Sequence, residues 1–526
     1  MRKTLCRWLI PAFLVLASAL ALAWVWTTRE GHRQGNVVPT MVIVAITAIL
    51  LVAWALTALP KGWKAKLAVL ALLFAVGGAV AALVRIGGVT GDVIPILEWR
   101  FTRTPEATLG AGPGEAGLPS EAKDLPAGDL SSSAGRLEYP QFLGPGRDGT
   151  VPGVQLDRDW TARPPRLLWR KEIGAGWSGF AAAGDGAFTQ EQRGDLEMVT
   201  CSSLLTGEPI WTHQDKARYQ SVLGGIGPRA TPTVGARRIY TLGATGILNC
   251  LDRRTGRRFW ARNILEDNGA SMSEWGMSGS PLLQGGLVIV PAGGKNDRSL
   301  VAYRMDSGEP AWHGGNDRAG YSSPLYTVLA GTPQILILNS GSVASHDPAT
   351  GRVLWQVPWS RSNPNVAQPL PVPGDRVLVS SGYGVGCALF KVRKGPGGGL
   401  EVEQAWKTPS LKAKFANFVR REGFVYGLDD GILVCLDIET GGRRWKAGRY
   451  GHGQMLLAGD LLLLTTEAGE IVLVEAVPEG HKEIARFQAL DGKTWNSPAL
   501  AAPYLLVRND RMAACYELPL AEPVRR

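Results

Sequence analysis

The chain has 526 residues, of which 66 are glycine and only 19% are charged, a composition that suits many short strands and tight turns and argues against a helical protein. A formal net charge of +10 suggests nucleic acid until it is located. Residues 1–100 carry ten Lys/Arg against three Asp/Glu, while the remainder carries 46 against 43, so the basicity lies beside the N-terminal apolar runs and nucleic acid is excluded as the expected partner.

Three uncharged apolar runs open the chain, Trp8–Thr27, Val37–Leu59 and Leu67–Val84, each long enough to cross a hydrocarbon core. One such run could be a cleaved signal peptide; two more following it predict a retained anchor. Arg2, Lys3 and Arg7 precede the first run, and Lys61, Lys64 and Lys66 separate the second from the third, whereas Arg29 and Arg33 in the first loop are offset by Glu30. The excess of basic residues on cytoplasmic segments predicts a cytoplasmic N-terminus and an extracytoplasmic remainder, in a bacterial periplasm or its equivalent. Trp24, Trp26 and Trp63 fall near span ends, as interfacial aromatics do. The expected organisation is a three-helix anchor over residues 1–90, a Pro/Gly/Ala-rich linker over 91–138 that buries little apolar surface, and a folded domain over 139–526.

Within that domain a strand, a Thr-Gly (once Ser-Gly) turn and a Trp four residues past the glycine recur: Gly207 with Trp211, Gly256 with Trp260, Gly308 with Trp312, Gly351 with Trp355 and Gly441 with Trp445. Asp252, Asp347 and Asp437 stand three residues before the Thr, where a carboxylate accepts from turn amides. Adding Trp169, Trp406 and Phe487 gives eight aromatics spaced 39 to 52 residues apart, the length of a four-stranded propeller blade. Trp169 has no repeat before it and the C-terminal strands have no Trp strand behind them. The predicted fold is therefore an all-β, eight-bladed propeller in which the strand around Trp169 completes the last blade and leaves no open edge. Cys201, Cys250, Cys435 and Cys515 occupy matching repeat positions, with Cys387 in a similar strand, and are expected to fill core slots as free thiols. No CxxC, CxxCH or HExxH occurs, so zinc, covalent haem and zincin chemistry lack a motif, and neither a metal site nor a catalytic residue is assigned.

The Asp-x-x-Thr-Gly-x-x-x-Trp element resembles the tryptophan-docking repeat of pyrroloquinoline-quinone-like (PQQ-like) propellers, a group that includes quinoprotein alcohol dehydrogenases and outer-membrane assembly lipoproteins of the BamB type. The segment Phe142-Leu-Gly-Pro-Gly-Arg-Asp-Gly149 looks like the Phe-Arg-Gly-Pro-x-x-Asp-Gly opening of many bacterial members. The resemblance covers residues 140–520 and implies the fold rather than an activity, because catalytic and non-catalytic members share the repeat. It allows the quinone as cofactor, yet this sequence lacks the vicinal Cys-Cys pair of those dehydrogenases, and their calcium cage of Glu, Asn and Asp has no counterpart placed residue by residue.

The first residues of each innermost strand line a propeller's channel. Several candidates run into Thr-Pro, Ser-Pro or Gln-Pro, small pairs that let eight strands crowd one axis. Around them gather Gln190, Glu191, Gln192 and Arg193, read as a polar loop, together with Arg229, Trp177, Trp275, Lys412, Lys414, Arg449, His452, Lys493, Trp495 and Asn496. Cations beside flat aromatics can hold a planar anion or an acidic peptide, with Glu191 the carboxylate expected to balance the ring. The function that follows is a membrane-anchored, non-catalytic binding or scaffold module of the cell envelope for a protein, peptide or small anion. The alternatives are a membrane-bound quinoprotein dehydrogenase and an envelope sensor.

Overall fold

The computed structural model describes residues 2–28, 33–58, 62–102, 109 and 137–521, which form two compact units divided at Arg103. The first holds three helices, Arg2–Thr28, Arg33–Ala58 and Trp63–Leu83, whose segments Leu9–Thr27, Gln34–Ala58 and Trp63–Leu83 are each long and apolar enough to cross a membrane. The first two are joined by a Ser18–Thr47 hydroxyl pair and by Trp26 Nε1, which donates to Thr40 Oγ1 at 3.0 Å. Directly after the third helix, Val84–Val89 and Pro95–Trp99 pair as an antiparallel hairpin. Sequence patterning assigns those residues to the end of the anchor and the start of the linker, because their Gly87-Gly88 and Pro95 break the strand signal.

The second unit is a ring of eight four-stranded blades over residues 181–216, 233–263, 282–314, 325–358, 370–408, 419–449, 454–488 and 499–517, numbered one to eight here. Blade eight has three strands of its own, and Arg166–Glu172 supplies the fourth by pairing with Met512–Glu517, Trp169 opposite Cys515. The ring thus closes through its N-terminal strand, as the unmatched sequence ends predict.

All but one of the repeat Trp residues reach the next blade. A methyl group on Gly308 would lie 2.6 Å from Trp260 Cδ2, and Gly207, Gly256, Gly351 and Gly441 stand in the same relation to Trp169, Trp211, Trp312 and Trp406. These glycines hold φ near +70°, where a side chain strains the backbone, and the missing Cβ is the seat of the indole. The indole N–H then donates to a carbonyl of that same turn: Trp169 to Leu204, Trp211 to Arg253, Trp260 to Met305, Trp312 to Pro348 and Trp406 to Ile438, at 2.8–3.2 Å. Trp445 does likewise with Val477 at 2.9 Å, and Phe487 packs edge-on against Tyr516 of blade eight. Trp355 is the exception. Blade five replaces the Thr-Gly turn with the Gly395–Gly399 insertion, so this indole stays in its own blade and donates to Gln334 Oε1 at 2.7 Å. Cys201, Cys250 and Cys435 face Trp211, Trp260 and Trp445 across the strand pair, as Cys515 faces Trp169, and these four and Cys387 are free and buried.

Around the axis the small residues before the inner strands bond one blade to the next. Gly179 N donates to Thr231 Oγ1, Thr231 N to Ser280 Oγ, Ser280 N to Ser323 Oγ and Gln368 N to Asn417 Oδ1, at 2.8–3.2 Å. The Ser/Thr-Pro pattern therefore does more than save space: its hydroxyls satisfy amides that face the channel and have no strand partner.

The Phe142–Gly149 segment crosses this ring at one end. Tyr139 bridges Ala182 of blade one, Pro140 O accepts from Val234 N of blade two, and Thr150–Val151 adds a parallel strand to blade seven. Between these anchors Arg147, 2% exposed, donates to Ser280 O and Pro281 O at 3.0 Å, and its own carbonyl accepts from Gln368 Nε2 at 2.5 Å. The segment is a plug that ties blades one, two, three, five and seven together.

Candidate ligand site at the channel mouth

The loops entering the inner strands carry five rings in continuous contact: Tyr321 stacks on Trp275 (centroids 5.1 Å, 27°), Trp275 meets Phe415 edge-on at 6.0 Å, Phe415 meets Trp495 at 4.9 Å, and Trp495 meets Trp177 at 5.0 Å. The Trp275–Phe415 contact joins the loops before blades three and six, so the belt reaches across the channel. Beneath it lies a cavity of about 140 Å³, walled by these rings and by Thr231, Ser278, Ser323, Asn417, Gln454 and Ser497, with Phe142 of the plug in its lining.

Cations sit on the faces of the belt and its neighbours. Lys493 Nζ lies 4.2 Å from the Trp495 ring and 4.9 Å from Trp177, Lys414 Nζ lies 4.8 Å from Tyr383 and 5.5 Å from Phe415, and the Arg229 guanidinium lies 4.5 Å from Tyr219. Placement over a ring face offsets part of the cost of desolvating each charge. Arg229 donates to the carbonyls of Gly224 and Gly227, and among the described residues it has no carboxylate partner. Burial pushes it down to about 10, still protonated at neutral pH. The indole N–H of Trp275 is enclosed and without an acceptor, whereas Trp177 donates to Gly224 O and Trp495 to Glu467 Oε1.

Of the residues expected at the mouth, Arg229, Trp275 and Trp495 line the cavity. Lys414, His452 and Lys493 flank the belt, with His452 5.6 Å from the Phe415 ring. Lys412 is held away from it by Asp429 at 2.6 Å and Asp430 at 3.8 Å. Asn496 spends its amide on Gly176 O and Ser178 O, joining blade eight to blade one. Gln190, Glu191 and Arg193 are not a loop: they belong to the strand Gly186–Arg193. Gln190 donates to Ala230 O at 2.6 Å, and Glu191 accepts from Gly174 N and pairs with Arg193. The carboxylates near the mouth cations are accordingly Glu467, which accepts from Trp495 Nε1 and His452 N, and Asp429 with Asp430, rather than Glu191. Sequence reasoning passed over Glu467 because it lies in a turn whose neighbours come from two other chain segments.

One buried acid stands behind this wall. Glu197 accepts from Ala244 N at 2.7 Å, and Ala244 O in turn accepts from Met277 N beside Trp275. Burial, with Asp215 nearby, pushes its carboxyl up to about 7, against the pull of the Ala244 amide and Arg229. The folded state therefore holds a proton that the unfolded chain releases near 4.5, so stability falls as pH rises from about 4.5 through about 7. Glu197→Gln should flatten that part of the pH profile in urea unfolding; an unchanged slope would mean that another group causes it.

Comparison with known proteins agrees with this architecture. A family model described as outer membrane protein assembly factor BamB matches residues 197–447. BamB from Moraxella catarrhalis is similar in structure at 16% identity, covering 67% of this chain and 97% of its own, with a TM-score of 0.50. The chain is similar in fold to PQQ-like β-propellers. Within that fold, quinohemoprotein alcohol dehydrogenase ADHIIG from Pseudomonas putida HK5 aligns at 13% identity over 74% of this chain and 82% of its own, with a TM-score of 0.54. The quinohemoprotein alcohol dehydrogenase from Comamonas testosteroni aligns at 13% over 78% and 84%, with a TM-score of 0.55. Among curated proteins none matches. Among the described residues the cavity lining offers rings, hydroxyls, amides and one guanidinium, with no carboxylate and no cysteine. That set does not match the carboxylate-rich oxygen cage in which a calcium ion is usually held.

Proposed function

We propose that this protein is a membrane-anchored, extracytoplasmic binding module whose propeller captures a flat, acidic ligand in the aromatic belt at its channel mouth, without performing chemistry on it. The observation that carries this reading is the belt itself, five touching rings with Lys414 and Lys493 on its faces and Arg229 in the cavity wall beside it. An aromatic ring entering it exchanges water for stacking, and an acidic group on the ligand meets Arg229 and the unpartnered Trp275 N–H. The charge asymmetry around the three apolar helices supports an extracytoplasmic propeller.

The test is calorimetric titration of the full-length protein with pyrroloquinoline quinone, a planar tricarboxylate, and with a short acidic peptide bearing an aromatic side chain, at low and physiological salt. Binding of either that is lost in Lys414→Ala/Lys493→Ala and weakens with salt is the expected result, since screening acts on the part-exposed Lys493 more than on the buried Lys414. Lys412→Ala should leave binding intact, because that side chain is committed to Asp429. Salt-independent binding, or dye-linked oxidation of an alcohol or sugar by the quinone-loaded protein, would contradict the reading.

A further inference from the structure

The hairpin that follows the third helix has two faces of opposite character. Ile86 stands opposite Leu97 and Val84 opposite Trp99, so these four share one face, while Arg85 opposite Glu98 forms an ion pair at 3.3 Å on the other. The apolar face is open: Ile86 is 67% exposed, Leu97 68% and Trp99 52%. Phe101, beside Trp99 with ring centroids 6.1 Å apart, extends it. An isolated two-stranded hairpin is marginal in water, and one that presents only apolar side chains on a face needs a surface to cover it.

We infer that this hairpin lies in the lipid interface of the membrane that the third helix crosses, its Ile86–Leu97–Trp99 face turned to the acyl chains and its Arg85–Glu98 face to the headgroups. The lipid is favoured as occupant by continuity. The first strand begins at Val84, the residue after the helix ends, and Arg100 returns to that end by donating from its backbone N to Leu83 O at 2.7 Å and from Nη2 to Ala81 O at 2.8 Å. The hairpin therefore sits where the span exits. The depth follows from the backbone. The outer edges of a two-stranded sheet carry unpaired N–H and C=O groups, which hydrocarbon does not tolerate, so the hairpin stays at the headgroup boundary with Trp99 as its interfacial anchor. It acts as a collar that fixes how far the third helix emerges.

This inference rests on the helices being membrane spans and is independent of the channel site. The test places a photoreactive benzophenone side chain at Leu97, Ile86, Glu98 or Phe74 of the full chain, reconstituted in vesicles of phosphatidylethanolamine and phosphatidylglycerol. Lipid adducts are read by mass spectrometry. Phe74, in the middle of the third helix and 79% exposed, reports on the span itself. The expected result is lipid adducts at 74, 97 and 86, severalfold above those at 98. Adducts at 74 with none at 97 and 86, or cross-links from 97 and 86 to the propeller or to a second copy, would overturn the collar. Absence of lipid adducts at 74 would overturn the spanning reading and the collar with it. Two probed positions on separate strands keep the outcome from depending on one variant that fails to fold.

Discussion

Trp260→Ala should lower the stability of the propeller by an amount toward the low end of the about 3–5 kcal/mol that truncating a buried aromatic costs, because Trp260 is half-buried, out of a total of about 5–15 kcal/mol for a typical domain. The side chain is not a local filler. It sits on Gly308 of the next blade and donates to Met305 O, so its loss opens a seam between blades two and three. Gly308→Ala attacks the same seam from the other side, because the new methyl would meet the indole at 2.6 Å and the residue holds φ +73°. Each variant alone should melt well below the parent in a thermal scan of the full-length protein. Together they should cost less than the sum, since both remove one contact. A Trp260→Ala protein that melts with the parent and loses only ligand would move this Trp from the architecture to the site.

Arg508→Met should be at least as damaging. Arg508 lies on the blade-eight strand Tyr504–Arg508, is 1% exposed, and forks from Nη1 to Thr189 Oγ1 and Gln190 O and from Nη2 to Gly174 O, at 2.7–2.9 Å, with Gly176 O at 3.4 Å. All of those acceptors belong to blade one or the segment leading into it, so this one guanidinium clasps the two blades where the ring closes. Burial lowers it to about 10, and it remains a cation at neutral pH. Met fills the volume but removes the guanidinium donors from Thr189 Oγ1, Gln190 O and Gly174 O, at about 1–3 kcal/mol for each acceptor left unsatisfied where water does not re-enter, while Gly176 O keeps Asn496. Arg508→Lys should rescue only part, because an ammonium cannot span the same fork. Denaturant midpoints of the three proteins decide it, and a Met variant as stable as the parent would show that the clasp is dispensable beside the Arg166–Glu172 pairing.

Much of this architecture was legible because its signal is local. A Thr-Gly turn followed by Trp at a fixed offset is written within a dozen residues, and its count and unmatched ends were enough to predict eight blades and their closure. What escaped has partners far away in sequence. The run Gln190–Arg193 looks like a loop because it lacks apolar alternation, yet it is part of a strand whose Gln190 is satisfied by Ala230 O and whose Gln192 is satisfied by Ala217 O. Arg147 reads as part of a motif, and only the fold shows it bracing a plug against Ser280 and Pro281. Among the mouth residues, Trp177, Trp275 and Trp495 were named from their register before the inner strands, and Lys493 and Lys414 with them, whereas the belt rings Tyr321 and Phe415 were not singled out. Lys412, two residues earlier than Lys414, fell to an acid pair at Asp429 and Asp430 that no spacing rule announces.

The most direct test of the binding reading is hydrogen–deuterium exchange of the full-length protein with and without saturating pyrroloquinoline quinone, read by peptide. The account predicts slowed exchange in the peptides carrying Trp177, Arg229–Thr231, Trp275–Ser278, Lys414–Phe415 and Lys493–Trp495, with the outer strands of the blades unchanged. Protection confined to the outer strands or to the Phe142–Gly149 plug, with the mouth peptides unaffected, would contradict it.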